Sequence, residues 1–154
     1  MIHIALYQPE IPQNTGNIIR LCANLGADLH LVLPLGFVWD DRRLKRSGLD
    51  YHEYAEVRRH RDWAALQEHL GQRRIFAYTT RASRIHSQAS FSPSDVLLFG
   101  PETRGLPENV LGQIPPDQHL RLPMKPDSRS LNLSNAVAAA AYEAFRQLNY
   151  PDLV

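Results

Sequence analysis

Three polar segments of the sequence contain the residue types that bind small polar ligands and phosphates. The first, residues 14–20, reads NTGNIIR, and the second, residues 96–111, reads VLLFGPETRGLPENVL. The third, residues 119–145, carries Ser130 and Asn132 among several hydroxyls and amides, directly before an alanine-rich run. A helix start needs only one such side chain as its cap. The surplus predicts that several of these groups converge on a polar ligand.

The second segment has the form of a ligand-binding loop. An apolar strand runs into Gly100, and Gly105 follows shortly after, so the backbone can approach a ligand closely at the strand's carboxyl end. A phosphate-binding P-loop needs Lys followed by Ser or Thr after its second glycine, but Leu106 and Pro107 stand there. No GxGxxG follows a predicted strand either. An ordinary Gly-Pro turn explains this segment equally well.

The first segment places a cation where a helix disfavours one. Asn17, Arg20 and Asn24 fall on the polar side of a predicted helix, and Arg20 lies about one turn from the helix start. An anionic partner such as an RNA phosphate would resolve this conflict. A solvated polar face is the alternative.

Length and composition suit one globular domain spanning residues 1–154, which are 44% hydrophobic and 21% charged. We expect a cytoplasmic protein, because there is no basic leader and no apolar run near the roughly 20 residues that a bilayer requires. The single cysteine, Cys22, excludes an internal disulfide and a multi-cysteine metal site. The histidines are scattered without a ligand spacing, which predicts that the protein holds no metal.

The charges are unevenly distributed along the chain. Residues 42–84 carry a net charge of +6, whereas the rest of the chain carries −5. A basic segment on a nearly neutral chain is typical of a phosphate-binding face, although an arginine-rich solvated surface explains it as well.

Hydrophobic periodicity predicts alternating strands and helices, and therefore an α/β domain with a mostly parallel sheet flanked by helices. The first helix is predicted over residues 16–25, with Asn14 or Thr15 as its N-cap and Gly26 as its end. Residues 51–57 are predicted as a strand or irregular. The other predicted strands are 3–7, 29–33, 75–79, 96–99 and 119–122, and the other predicted helices are 41–46, 63–70 and 133–148.

Taken together, the three segments resemble the three motifs of the SPOUT methyltransferase superfamily. NTGNIIR (14–20) resembles the first motif, LLFGPETRGLP (97–107) the second, and LPMKPDSRSLNLSNAVA (122–138) the third. Their order and spacing are specific, and the resemblance covers essentially the whole chain. It is closest to the short subgroup that methylates the ribose 2′-hydroxyl of the tRNA wobble nucleotide.

This resemblance implies a C-terminal deep trefoil knot, S-adenosylmethionine bound within it, and a homodimer with composite active sites. It also implies that the tRNA anticodon stem-loop is the partner. The residues implied to bind the cofactor are Tyr78, Thr79, Gly100, Glu102, Leu122, Met124, Ser130 and Leu131. Those expected to bind RNA are Asn14, Asn17, Arg42, Arg43, Lys45 and Arg46.

The resemblance also assigns catalytic roles. Arg20 is expected beside the target ribose, where it clamps a phosphate and stabilises the forming alkoxide. Ser130 and Asn132 are expected to orient the hydroxyl and the cofactor, and Glu102 to fix its loop or Arg20. Tyr142 is expected either at the dimer interface or in the core. A ribosomal-RNA 2′-O-methyltransferase, a non-catalytic RNA-binding relative and an unrelated nucleotide-binding domain are the alternatives.

Overall fold

A computed structural model describes residues 1–154, except for the side chain of Ala55. The chain opens with strand β1 (His3–Tyr7), helix α1 (Pro12–Leu25) and strand β2 (Asp28–Val32). The two strands pair in parallel, with His3 opposite Asp28. This confirms the predicted β-α-β unit.

Helix α1 begins earlier than predicted. Pro12 occupies the first turn, where its fixed φ suits a helix and its missing N–H costs nothing. Ile11 is the N-cap, and the predicted caps Asn14 and Thr15 are buried inside the first turn instead. The predicted end was right, since Gly26 adopts the left-handed conformation with φ 70°.

Residues 51–57 were wrongly predicted as a strand or irregular. They begin with the short helix α3, whose start is held by Glu53: its side chain accepts a hydrogen bond from the Asp50 N–H at 2.8 Å. The Asp-x-x-Glu spacing is the sequence signature of such a helix start. The elements after β2 are α2 (Asp41–Arg46), α3 (Tyr51–Ala55), β3 (Arg58–His60), α4 (Trp63–Leu70), β4 (Ile75–Tyr78), β5 (Arg84–Ile85), β6 (Val96–Phe99), α5 (Glu108–Leu111), β7 (His119–Arg121) and α6 (Leu133–Gln147).

The described strands form one seven-stranded sheet in the order β3-β2-β1-β6-β4-β7-β5, and every pair is parallel. This confirms the predicted sheet type. Alternate residues of each strand face opposite layers of helices. On β6, Leu97 and Phe99 pack in the cluster that includes α1 and α6, whereas Val96 and Leu98 pack in the cluster that includes α4 and α5.

Helix α6 packs closely because its inner face is small. Ala140, Ala141 and Ala144 are completely buried, and α6 lies against α1. Tyr142, in contrast, is 49% exposed. Core packing was therefore the wrong interpretation of Tyr142, and the alternative of a dimer interface stays a prediction.

Strand β7 lies between two strands that are adjacent in sequence. Leu120 pairs with Tyr78 of β4 on one side and with Arg84 of β5 on the other, and only residues 79–83 join those two strands. The connection therefore crosses β7 near the edge of the sheet where β4, β6 and β7 end.

None of the helices described here is long and apolar enough to cross a membrane.

Candidate active site

A cleft of about 500 Å³ lies at the carboxyl ends of β4, β6 and β7, next to the start of α6. Parallel α/β sheets bind ligands at this edge. All the residues that the resemblance assigns to cofactor binding line this cleft, although they come from three separate segments. They are Tyr78 and Thr79, then Gly100 and Glu102, then Leu122, Met124, Ser130 and Leu131.

The loop after β6 folds back tightly on itself. A Cβ atom at Gly100 would lie 2.3 Å from the Leu106 nitrogen and 2.5 Å from the Gly105 carbonyl carbon, which is closer than any side chain tolerates. Gly105 has φ +67°, and its N–H donates to the Pro101 carbonyl at 2.9 Å. These two glycines therefore shape the wall of the cleft through the backbone.

Glu102 holds the entry to α1. Its Oε1 accepts from the Glu10 N–H at 2.8 Å, and its Oε2 accepts from the Ile11 N–H at 2.8 Å and from Asn14 Nδ2 at 3.2 Å. In return, Glu10 accepts from the backbone N–H and hydroxyl of Thr103. These bonds, the backbone one first, lower the pKa of Glu10. Of the two expected roles of Glu102, the structure supports fixing the loop.

The start of α6 is tied to the same network. Asn132 caps the helix by accepting from the Asn135 N–H at 3.2 Å and from the Ser134 hydroxyl at 2.6 Å. Its amide nitrogen donates to Asn14 Oδ1 at 3.0 Å. Ser130 is exposed and lines the cleft, and its hydroxyl has no hydrogen-bond partner among the side chains and backbone described. It is therefore available to a ligand.

Asn14 differs from its predicted role. It is 5% exposed, and both ends of its amide are used, one by Glu102 and the other by Asn132. Such a residue links two walls of the cleft and is poorly placed to contact RNA. Asn17, one turn later on α1, is exposed.

Tyr78 enters the site with its ring turned into the protein. The ring stacks on Phe99 with centroids 4.7 Å apart, and burial raises the pKa of its hydroxyl. A contribution of Tyr78 to ligand binding is therefore expected from its backbone. The neighbouring Thr79 N–H is already bonded to the Leu120 carbonyl at 2.9 Å.

Arg20 does not line the cleft in the described chain. Its Nε donates to Glu53 Oε2, and its Nη2 donates to the Gly48 carbonyl. Because α1 begins at Pro12, Arg20 lies more than two turns from the helix start, where the dipole does not disfavour a cation. Its anionic partner within the chain is Glu53, which the sequence reasoning missed. The Asp50-x-x-Glu53 spacing could have indicated the start of α3, but it carries no signal for the arginine that shares Glu53.

The basic residues of α2 form a surface beside Arg20. Arg42, Arg43, Lys45 and Arg46 are all exposed, and a shallow groove runs between Arg42, Lys45 and Arg46. We call these four residues the basic surface.

A metal-type cluster was not predicted, yet Asp50, His52 and Glu53 bring ligand atoms within 4.8 Å of one another. Both oxygens of Glu53 are already engaged there.

Comparison with known proteins agrees with this architecture. The model of the SpoU rRNA Methylase family matches residues 1–142. The tRNA (cytidine(34)-2′-O)-methyltransferase of Escherichia coli (strain K12) is 57% identical, covering 100% of this chain and 98% of that protein. A structure solved for the 2-OH methylation of C/U34 on tRNA is 51% identical, with a TM-score of 0.88 and 97% of each chain covered. A candidate RNA methyltransferase from Bacillus anthracis is 46% identical, with a TM-score of 0.91 and 99% of this chain and 98% of that chain covered.

Proposed function

We propose that this chain, which belongs to the SpoU rRNA Methylase family, transfers a methyl group from S-adenosylmethionine to a tRNA ribose. The acceptor is the 2′-hydroxyl of the wobble nucleotide, C or U at position 34. The full-length relative at 57% identity supports this substrate. The observation that carries the proposal is the single cleft formed by three distant segments at the carboxyl edge of the sheet.

The cleft suits an adenosyl ligand. Its volume of about 500 Å³ falls in the range of small-molecule sites. Gly100 leaves no space for a side chain, so the backbone itself forms the wall, and the Ser130 hydroxyl is available as a polar contact. When bound, S-adenosylmethionine supplies a methyl group on a positively charged sulfur. The residue set therefore fits the cofactor by shape and by polarity.

The chemistry requires alignment and proton removal. The leaving thioether is neutral, so this displacement needs no metal and no general acid, and we propose that none is used. Holding the two reactants in line is worth about 7–11 kcal/mol in favourable cases. Asn132 and Ser130, at the start of α6, orient the acceptor hydroxyl and the cofactor, and Glu102 keeps the facing loop in place.

Arg20 stabilises the acceptor oxygen as it loses its proton. A guanidinium stays protonated and is therefore a poor base, so the proton passes to solvent or to a nearby group. Because Arg20 does not line the cleft of its own chain and is held by Glu53, we propose a homodimer in which the partner subunit's Arg20 completes each site. The half-exposed Tyr142 on α6 supports an interface on that face.

The basic surface and Asn17 bind the backbone of the anticodon stem-loop. Three exposed arginines and one exposed lysine on one short helix supply the positive charges that contact phosphates. The 2′-hydroxyl exists in RNA alone, so the reaction excludes DNA.

Three further features belong to this proposal. A C-terminal trefoil knot is the first, and the position of β7 between β4 and β5, which only residues 79–83 join, supports it. One catalytic domain covers residues 1–154. The cytoplasm, where tRNA is modified in bacteria, is the proposed compartment.

Nucleoside mass spectrometry of tRNA from cells lacking the protein tests the proposal. We expect 2′-O-methylcytidine or 2′-O-methyluridine to disappear from position 34 and to return with the wild-type chain but not with Arg20→Ala. The description of the family as rRNA methylases favours one second candidate, a ribosomal-RNA 2′-O-methyltransferase. Loss of a methylated ribose from rRNA with unchanged tRNA would select it. No change in either RNA would indicate a non-catalytic RNA-binding relative.

A further inference from the structure

We propose that Glu53 is a positioning residue for Arg20, fixing one edge of its guanidinium so that the other edge faces the substrate RNA. This inference rests on the proposed function. Neither Glu53 nor Gly48 belongs to the three motifs that predicted the site. Both come from the segment that joins the basic surface to α3.

Glu53 is built as a fixed acceptor. The residue is 8% exposed, although it lies on a short surface helix, and both of its oxygens are in use. Oε1 accepts from the Asp50 N–H at 2.8 Å, which anchors the carboxylate to the start of α3. Oε2 accepts from Arg20 Nε. The bond from Asp50 and then the bond and charge of Arg20 lower the pKa of Glu53, so the carboxylate stays ionised at neutral pH.

A second acceptor fixes the orientation of Arg20. Gly48, which follows the end of α2, has φ +91°, a conformation that few other residues adopt. Its carbonyl accepts from Arg20 Nη2. Two acceptors on different atoms hold a planar guanidinium against rotation, which one acceptor alone does not. Because Gly48 lies only two residues after Arg46 of the basic surface, the position of Arg20 is tied to that of α2.

Glu53 and Gly48 bind one edge of the Arg20 guanidinium and leave its other edge free. Nε and the adjacent side of Nη2 form one edge of the guanidinium, and Glu53 and Gly48 occupy it. The outer edge, formed by Nη1 and the other side of Nη2, has no partner among the described residues, and the side chain is 46% exposed. This outer edge is the fork that binds phosphate oxygens in pairs. Glu53 thereby determines which donors the RNA meets.

The substitution Glu53→Gln separates positioning from folding. Glutamine also works in a capping box, so its carbonyl oxygen can keep the bond from the Asp50 N–H and preserve α3. Its amide nitrogen then faces Arg20 Nε, donor against donor, and the hold on Arg20 is lost. Glu56→Gln is the matched control, because it removes the same charge from the end of the same helix. The Glu56 side chain is exposed and has no hydrogen bond to any described residue.

The two variants are expected to change tRNA binding in opposite directions. Removing a negative charge near RNA strengthens binding by general electrostatics, and Glu56→Gln should show this small gain. Glu53→Gln should weaken tRNA binding and lower the single-turnover methyl-transfer rate at saturating cofactor by about tenfold or more. Its affinity for S-adenosylmethionine should stay within about twofold of wild type, because Glu53 does not line the cleft. Glu53→Asp, which keeps the charge but is too short to reach both donors, should also lose rate.

A double-mutant cycle decides whether Glu53 acts through Arg20. In the Arg20→Ala background, adding Glu53→Gln should change the tRNA dissociation constant by less than about twofold. Equal losses in both backgrounds, or wild-type rate and affinity in Glu53→Gln and Glu53→Asp, would overturn the inference. Thermal melts identify any variant that is unfolded, and Glu53→Asp then replaces Glu53→Gln in the cycle. A wild-type protein that binds tRNA without methylating it would refute the proposed function, while the binding cycle would still judge Glu53.

Discussion

The two ends of helix α1 serve two different surfaces, and a glutamate from another segment holds each of them. At the first turn, Glu102 accepts from two backbone N–H groups and from Asn14. Further along, Glu53 accepts from the Arg20 guanidinium and from one backbone N–H. Glu102 therefore fixes the path of the main chain, whereas Glu53 holds the orientation of the Arg20 guanidinium.

This difference separates the cleft from the side that we propose to bind RNA. The cleft is formed by backbone turns and neutral amides, so its shape depends on where the chain can pass. The proposed RNA-binding side consists of exposed cations on α1 and α2, so it depends on charge and on the direction of a few side chains. Substitutions at the two ends of α1 should therefore affect cofactor and RNA separately.

The largest difference between the effect on cofactor binding and the effect on RNA binding is expected from Gly100→Ala. The added Cβ would collide with the Leu106 nitrogen and the Gly105 carbonyl carbon, and backbone atoms cannot move aside as a flexible side chain can. We expect calorimetry to show S-adenosylmethionine affinity reduced by about 100-fold or more, which corresponds to about 2.8 kcal/mol.

Gly16→Ala is the control for this experiment. Gly16 lies within α1 with only Leu49 Cδ1 near its added Cβ, at 4.0 Å. Alanine there should keep cofactor affinity and raise stability by up to about 1 kcal/mol. Normal cofactor binding by a folded Gly100→Ala variant would contradict the close packing assigned to this loop.

Glu102→Gln should give the next largest effect. The carboxylate accepts three donors with two oxygens, whereas glutamine offers one oxygen and turns an N–H₂ group toward the others. We expect about tenfold weaker cofactor binding, with tRNA binding changed less. Glu68→Gln, an exposed residue of α4, controls for the loss of charge. Equal weakening of cofactor and tRNA would indicate that Glu102 supports both ends of α1.

The basic surface should respond to salt in a way that the cleft does not. We expect Lys45→Ala and Arg46→Ala each to weaken tRNA binding several-fold and to reduce the salt slope by about one if the residue contacts a phosphate. Cofactor affinity should stay unchanged. Arg73→Ala is the control. Arg73 precedes β4 and so lies at the amino ends of the strands, whereas α2 follows the carboxyl end of β2. A salt slope that is the same in all three variants would remove α2 from the RNA footprint.

The smallest effect concerns a region that neither end of α1 touches. His30 on β2 lies between His3, at 3.1 Å from its Nε2, and His60, at 3.0 Å from its Nδ1. Burial, and then the neighbouring histidines, lower the pKa of His30 to about 3. Burial also lowers the pKa of His3 and of His60.

These shifts predict acid sensitivity. The unfolded chain takes up protons below about pH 6.5 while the folded chain does not, so stability is present at neutral pH and is lost as the pH falls. We expect the melting temperature to fall by at least about 3 °C between pH 7.5 and pH 5, and less steeply in His30→Gln. Parallel pH profiles for the two proteins would show that the histidines do not cause the loss.

Periodicity and turn residues predicted most of the fold, because buried strands and alanine-rich helices leave regular apolar patterns. They failed for α3, where five residues are too few for a period, and for the start of α1, where Pro12 replaced a side-chain cap. The short strands β3 and β5 were missed for the same reason of length.

The candidate site was only partly predictable. The three motifs identified the cleft because each places glycines or hydroxyls where a strand ends or a helix begins. Glu53 and Gly48 were missed because their role depends on a contact with a residue about 30 positions away, which local patterns do not encode. The burial of Asn14 was missed because its two partners, Glu102 and Asn132, come from distant segments.

Ribose 2′-O-methylation at position 34 is tested most directly with two synthetic anticodon stem-loops that differ by one oxygen atom. One carries ribose at position 34, and the other carries 2′-deoxyribose at that position alone. With S-adenosylmethionine labelled in its methyl group, we expect label in the ribose substrate and none in the deoxyribose substrate, with both RNAs bound equally well. Transfer of label to the 2′-deoxyribose substrate would contradict this expectation, because the methyl group would then be attached to another atom.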